Sequence, residues 1–429
     1  KIMSTGAVSA VIMGIMFLMF VLNFPMYIAI ILPPLAVLIL ELANLQPYMA
    51  IQQLIAGVST QALLAVPMFI FAADIMSAGQ TSRRLLDFIE VFVGHIRGGL
   101  AITTAAACTF FGAISGSTQA TLVAIGKPMY NRLVESGYKK DDMLALIESS
   151  AIIALLIPPS ISMIMYCVVT GASVADLFVS GVIPGLMMLL AFSIYSYFLA
   201  KKNNTPKTER ATLKDIILAL KNGIAPMGFP LIIFAGIYTG IFSPTEAAAV
   251  AVLYATICEV FIYKSVKPKD FKEIALSTGV VTTAVFVLVA AGQLLSWVIS
   301  YLRIPQYIAE LVLGTDPSAL RVLITTTVFF FIAGMFVDSI VAIIILTPIF
   351  YQPAIAAGVH PIHLGILITL QAAIASISPP FGCNLFTSSA VFQQPYVETV
   401  RKIPVYLVIL IIITALLIAF PQLSTILIA

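Results

Sequence analysis

The sequence predicts an all-α polytopic membrane protein built from inverted repeats, with two re-entrant helical hairpins and two broken transmembrane helices. Three observations carry that prediction. Of the 429 residues, 61% are hydrophobic and only 10% charged, more apolar surface than a water-soluble domain can hide. Nearly uncharged stretches recur along the chain, and most reach the roughly 20 residues that a helix needs to cross about 30 Å of hydrocarbon. Marker residues also recur at one fixed separation in the two halves of the chain. The apolar runs are continuous and do not alternate in short segments, which argues against a transmembrane β-barrel.

The first such stretch, 7–22, has no A-x-A pattern behind it. It is expected to be a true span and not a signal peptide, with a few residues missing ahead of Lys1. The one clearly hydrophilic run, 201–223, divides the chain near its middle. Across it, Gly137 recurs as Gly358 and Pro158-Pro159 as Pro379-Pro380, 221 residues on; Gly94 recurs as Gly314 and Pro128 as Pro348, 220 residues on. An internal duplication follows. Between 81 and 142 lie Arg83, Arg84, Arg97, Lys127, Arg132, Lys139 and Lys140, whereas 301–362 carries only Arg303 and Arg321. Lys and Arg mark the cytoplasmic side, so corresponding loops fall on opposite faces and the repeats are inverted. Such symmetry points to a secondary transporter.

Taken in order, residues 1–98 are expected to supply scaffold helices and the arm of the first repeat, and 99–176 its hairpin and broken helix. Residues 177–223 add a helix and the cytoplasmic linker. Residues 224–314 repeat the scaffold and arm, 315–397 the hairpin and broken helix, and 398–429 close with a C-terminal helix. The arms, 81–98 and 301–314, mix charge with apolar residues, as helices lying along a lipid surface do.

The run "FGAISGSTQATLVAIG", 111–126, is the first hairpin tip. It lies in an uncharged segment too long for one crossing, with Arg97 before it and Lys127 and Arg132 after it. A chain that turns at mid-membrane and leaves by the side it entered accounts for both facts, because a freed backbone is tolerated only beside protein or a wet cavity. Gly112 and Gly116 also have the spacing of a helix-packing face. At the matching place of the second half, Ser117-Thr118 becomes Asp338-Ser339. Downstream of each tip a proline pair opens a long apolar run, in "ALLIPPSISMIMY" and "ASISPPFGCNLFTSSA"; a plain kink is the alternative.

Carbonyl ends of half-helices suit a hard cation and amide ends suit an anion. Two or more Na⁺ ions are therefore expected on Ser115, Gly116, Ser117 and Thr118 at the first tip and on Asp338 and Ser339 at the second. Ile157 and Ser160 at the first break, and Ser378, Gly382 and Asn384 at the second, complete the ion set. Ser162, Thr387, Pro158, Pro159, Pro379 and Pro380 are expected to meet the substrate. Oxygen donors without thiolate or clustered imidazole favour sodium over a transition metal.

Other features say less. Cys108, Cys167, Cys258 and Cys383 stand singly in apolar segments and read as small core residues. His360 and His363 lack a third ligand at zinc spacing, and "TLVAIGKP" is no P-loop. Ser243, Pro244 and Glu246 form a capping box. Asp74, Glu148 and Asp176 are candidates for function because they are ionisable in or beside apolar runs; each could equally be a cap or a helix–helix tie. No constellation of acid, base or metal ligands suggests an enzyme, and nothing suggests a nucleic-acid partner. A channel of similar build is the competing class, as is a sodium–anion symporter that needs no binding protein.

The stretches "FGAISGSTQAT", "GYKKDDMLALIESSAIIALLIPPSISMIMYCVVTGASVADLFVSGVIPG", "GIYTGIFSPTEAAAVAVLYA" and "FVDSIVAIIILTPIF…SPPFGCNLF" resemble the large membrane subunit of tripartite ATP-independent periplasmic (TRAP) transporters, the DctM-like family. The resemblance covers nearly the whole chain. It implies an elevator-type, sodium-driven importer of carboxylate-bearing solutes in a bacterial inner membrane, related in build to the ion transporter superfamily. Its implied partners are a small four-helix membrane subunit, a periplasmic binding protein, membrane lipid and an organic acid. Within the family sialic acid is the preferred substrate and a C4-dicarboxylate its rival. Where many members carry a small aliphatic residue after the first "GS", this chain has Thr118-Gln119, which gives Gln119 no supported role.

Overall fold

The structure is a computed structural model that describes residues 4–22, 24–40, 45–46, 48–205, 207, 209–314 and 317–428. Lys1, the linker residues Pro206 and Thr208, and Thr315 at the start of the second hairpin segment lie outside them. All regular structure among the described residues is helical. Among the described residues, eight helices are long and apolar enough to cross a bilayer, so the chain is a multi-pass membrane protein. Large apolar side chains such as Phe17, Leu231 and Phe261 are exposed, an arrangement that suits hydrocarbon and not water.

The two halves follow one plan. Gly99–Ser115 corresponds to Ala319–Phe336, Lys140–Ala151 to Pro361–Ser376, and Ile161–Thr170 to Cys383–Phe392, close to the separation read from the sequence. Gly137 (φ 86°) and Gly358 (φ 80°) make the matching turns ahead of the broken helices, in the left-handed region that glycine enters without steric cost. Both proline pairs contain a cis peptide bond.

The interior is centred on the broken helices: residues 142–167 and 362–378 are buried without interruption. Small residues let their backbones approach the helices that lead to each tip. A Cβ on Gly112 would lie 2.7 Å from Ala154, and one on Gly334 would lie 2.7 Å from Ala375, so a larger residue at either place would separate helix from helix. Ser243 and Glu246 form the expected capping box, each side chain bonding the other's backbone N–H.

The first arm, the helix Thr81–Val93, turns Leu85, Leu86 and Ile89 inward. Its start is held from another element. Glu259, in the π-helical turn Ile257–Ile262, is fully buried, and its carboxylate accepts the Gln80 and Thr81 N–H groups, each at 3.0 Å, and the hydroxyls of Thr81 and Ser265. The helix thus gains an acidic cap where its own sequence offers Gln80. Gly79 is needed beside it, because a Cβ there would overlap the carboxylate. Replacing Glu259 with alanine strands the buried Thr81 amide, at about 1–3 kcal/mol, and releases the part-buried Gln80 amide. We expect a lower melting temperature in detergent, whereas replacement of exposed Glu209 leaves it unchanged.

Candidate functional site

Four interruptions of helix define the site. At the first tip, Gly99–Ser115 ends on Gly116, whose φ is +58° and whose N–H bonds the Gly112 carbonyl at 2.8 Å. This is the left-handed stop that favours glycine. Ser117 then turns extended and its hydroxyl accepts the Ala120 N–H at 3.4 Å, restarting the helix at Thr118. The π-helical turn Leu122–Gly126 follows, and Lys127–Glu135 continues it. At the second tip Val337 and Asp338 are extended, and the Asp338 carboxylate accepts the Ile340 N–H at 2.9 Å to begin Ser339–Ala356.

The breaks are built from tightening, proline and a cap. Lys140–Ala151 narrows to a 3₁₀ turn over Ile152–Leu155 and opens before Pro158; Ser160 then accepts the Met163 N–H at 3.3 Å and starts Ile161–Thr170. In the second repeat Pro361–Ser376 stops, the Ser378 hydroxyl donates to the Ile374 carbonyl at 2.8 Å, and Gly382 leads into Cys383–Phe392.

Each tip sits on the broken helix of its own repeat. A Cβ on Gly116 would stand 2.4 Å from the Pro159 carbonyl oxygen. Ser339 donates to the Ala372 carbonyl at 3.1 Å, and the Phe336 and Phe381 rings meet at 5.4 Å between centroids. A second set of contacts crosses between repeats. Ser339–Ala356 packs on Ile161–Thr170, and the π turn with Lys127–Glu135 packs on Cys383–Phe392. Thr118 Oγ1 donates to Asn384 Oδ1 at 2.9 Å, and Asn384 Nδ2 donates to Ser376 Oγ at 3.1 Å. The first tip and the second break are thereby joined in one buried polar chain.

The expected ion residues are thus partly brought together. Ser115 Oγ lies 3.3 Å from the Ser117 carbonyl oxygen and 3.2 Å from Thr121 Oγ1, which lies 2.8 Å from that carbonyl. These are neutral hard oxygens, a donor type that suits a hard cation, while the Asp338 carboxylate accepts the Ile340 N–H at the second tip. Ile157, Ser160 and Ser378 are buried among the breaks. The Ser378 carbonyl accepts the Gly382 N–H at 3.0 Å, since the chain folds back on itself after the prolines, and one lone pair of that oxygen is taken.

The expected substrate residues differ in exposure. Pro158, Pro159 and Ser162 are buried, Pro379 is half-buried and Pro380 exposed, while the Thr387 hydroxyl is spent on the Cys383 carbonyl at 3.2 Å. The second break is the more open of the two. Beside it Phe336, Val337, Phe381 and Phe386 share a cavity of about 1020 Å³ with the end of Thr5–Val21 and Met26.

The isolated ionisable residues separate cleanly. Asp74 accepts the Thr278 hydroxyl at 2.7 Å, a tie between helices. Asp176 lies in the first turn of Val174–Lys202, behind its cap Ser173. Glu148 is fully buried and neither carboxylate oxygen has a hydrogen-bond partner. Cys108, Cys167 and Cys258 are buried as expected, but Cys383 is partly exposed because it opens the helix after the second break. Sequence reasoning missed Ser376, which accepts from Asn384; its signal was a second serine two residues ahead of Ser378.

Residues 13–423 match the family described as "Tripartite ATP-independent periplasmic transporter, DctM component". The ectoine/5-hydroxyectoine TRAP transporter large permease protein UehC of Ruegeria pomeroyi is 46% identical over 97% of this chain and 97% of its own length. The ectoine TRAP transporter large permease protein TeaC of Halomonas elongata is 50% identical over 87% of this chain and 88% of its own. The sialic acid permease SiaM of Vibrio cholerae is 32% identical over 88% of both chains, and C4-dicarboxylate permeases are also similar. Among solved structures, the Alcanivorax borkumensis YdaH transporter is similar with a TM-score of 0.66 at 14% identity, over 96% of this chain and 100% of that one. That likeness concerns the fold alone.

Proposed function

The chain belongs to the DctM family of large membrane components of TRAP transporters, and from that membership we propose that it imports a small carboxylate-bearing solute on a sodium gradient. The preferred solute is of the ectoine class. The two relatives at 46% and 50% identity are named for ectoine, whereas the one named for sialic acid stands at 32%. Ectoine keeps the carboxylate anticipated from the sequence and adds a delocalised cation, so it is a zwitterion. C4-dicarboxylate and sialic acid are the rivals.

The observation that carries this reading is the meeting of two tips and two breaks through buried oxygens, with Thr118 and Asn384 joining one repeat to the other. In this reading the two helix pairs are re-entrant hairpins, the first entering from the cytoplasmic face that its basic flanks mark. Hairpins and broken helices move together against the scaffold, elevator fashion, and the arms span the boundary between the moving and fixed parts. The chain works in the bacterial inner membrane with a small membrane subunit and a periplasmic binding protein.

The test is uptake into proteoliposomes that contain both membrane subunits, with the binding protein outside. Labelled ectoine should accumulate only under an inward sodium gradient, and unlabelled ectoine should compete better than a C4-dicarboxylate or sialic acid. Uptake that ignores the gradient would indicate a channel, and uptake without the binding protein a free-standing symporter. Asp338→Ala and Ser117→Ala should each raise the half-saturating sodium concentration about tenfold, the equivalent of about 1.4 kcal/mol. Unchanged sodium dependence in both variants would remove these two residues from the site.

A further inference from the structure

Of the three isolated ionisable residues, Glu148 is the one buried without a hydrogen-bond partner among the described residues. It sits in the middle of Lys140–Ala151, fully buried. The Ser388 hydroxyl of Cys383–Phe392 faces it and is likewise buried without a hydrogen-bond partner. Asn384, which binds Thr118, lies four residues earlier on that helix, so the Glu148–Ser388 pair stands about one helical turn from the contact that joins the repeats.

An ionised carboxylate taken out of water without a counter-charge is far costlier than the neutral acid. No basic side chain among the described residues acts on Glu148. The elements packed against its helix carry Cys108; Lys127, Tyr130, Arg132 and Glu135; Asp176, Tyr195, Tyr197, Lys201 and Lys202; Cys383; Tyr396 and Glu398; and Tyr406, with Lys402 as the cap before it. Of the cations, Arg132 pairs with Glu90 at 2.8 Å and Lys402 approaches Asp142 at 3.9 Å. The titratable group in electrostatic reach is the Tyr396 phenol, which supplies no positive charge. One carboxyl group and one hydroxyl are too few oxygens to enclose a sodium ion, but they suit a carboxylic O–H donating to a hydroxyl oxygen. The duplication supplies a comparison. In the second repeat the place 221 residues on is Thr369, whose hydroxyl is satisfied by the Gly365 carbonyl at 2.8 Å. The fold therefore does not need a carboxyl group there. The surroundings are irregular as well: the π-helical turn Leu122–Gly126 ends on Gly126, where a Cβ would strike Ile147 at 2.6 Å and Phe392 at 3.1 Å, and such bulges frequently accompany functional sites.

We propose that Glu148, with Ser388 as the hydrogen-bond acceptor, is a proton-binding site, and that its proton is exchanged with water during the transport cycle in addition to the sodium ions. On loading, the carboxylate takes a proton from hydronium, whose O–H bond breaks as the carboxylic O–H forms and which leaves as water; release to water reverses both changes. The proposal rests on the transport reading only for the exchange, not for the binding.

Two measurements test it. Infrared difference spectra of the purified chain in lipid, between acidic and alkaline buffer, should contain the carbonyl band of a protonated carboxylic acid. Glu148→Gln should remove that band, and Ser388→Ala, which keeps the carboxyl group, should shift it. In proteoliposomes holding the complete transporter at a fixed sodium gradient, an imposed inward proton gradient should change the wild-type uptake rate. Glu148→Gln should lose that response while retaining its dependence on sodium. A band that survives Glu148→Gln and is unmoved by Ser388→Ala overturns the proton site. A Glu148→Gln transporter that keeps the wild-type response to the proton gradient overturns the exchange. Should wild-type uptake prove independent of sodium while the band behaves as expected, the proton site is supported and the sodium reading alone fails.

Discussion

Gly116→Ala is expected to abolish sodium-dependent uptake and to lower the melting temperature of the purified chain. Two costs combine at this position. Gly116 holds φ at +58°, and an L-residue in the left-handed region costs about 1–2 kcal/mol. Its missing side chain is also the space into which the Pro159 carbonyl projects, 2.4 Å from where a Cβ would be. Neither side can yield easily, because the tip is fixed by the Ser117 cap and the break lies in a segment buried without interruption from 142 to 167. The tip must lift from the break, and the cluster of Ser115, Ser117 and Thr121 oxygens moves with it. Gly171→Ala is the control: it shares the positive φ, at 75°, but meets nothing within 4 Å. Equal behaviour of the two variants would show that the tip and the break do not need to touch.

Asn384→Ala should have the second large effect, weakening sodium dependence and separating the repeats. The amide is fully buried and is used at both ends, accepting from Thr118 and donating to Ser376. Alanine leaves the Thr118 hydroxyl without its acceptor in a dry interior, at about 1–3 kcal/mol. A double-mutant cycle with Thr118→Ala isolates the link: a coupling of about 0.5–3 kcal/mol in thermal stability is expected for residues in direct contact. Additive effects would mean that the bond contributes nothing, and Asn384 would then act only through its position behind the second break.

The interruptions of helix were legible in the sequence because each has a local cause. Gly116 and Ser117 supply a stop and a restart, Asp338 supplies a cap, and each proline pair removes donors that a helix requires. The duplication was legible through Gly137 and Gly358, which make the same turn. What could not be read was the pairing across the repeats. A fixed offset says which residues correspond, but corresponding residues need not touch, and Thr118 meets Asn384 through packing of helices 266 residues apart in the chain. The same limit explains Asp74, Asp176 and Glu148. All three are single acids at apolar segments, and only their neighbours in space distinguish a tie to Thr278, a place behind a cap, and a carboxyl group without a partner. Cys383 was misplaced for a related reason: composition treats it as core, while the break ahead of it brings it partly to the surface.

The carboxylate of Glu259 gives the first arm an unequal pair of ends. Its beginning is held by three donors of its own, the Gln80 and Thr81 N–H groups and the Thr81 hydroxyl, and its 13 residues make a rod about 20 Å long. Near its far end Glu90 accepts from Arg132 at 2.8 and 2.9 Å, so the rod links Glu259 to the helix Lys127–Glu135 that follows the first tip. The second arm begins at Arg303, in a left-handed conformation with no side-chain cap. The two arms, matched in sequence position, are anchored by different chemistry.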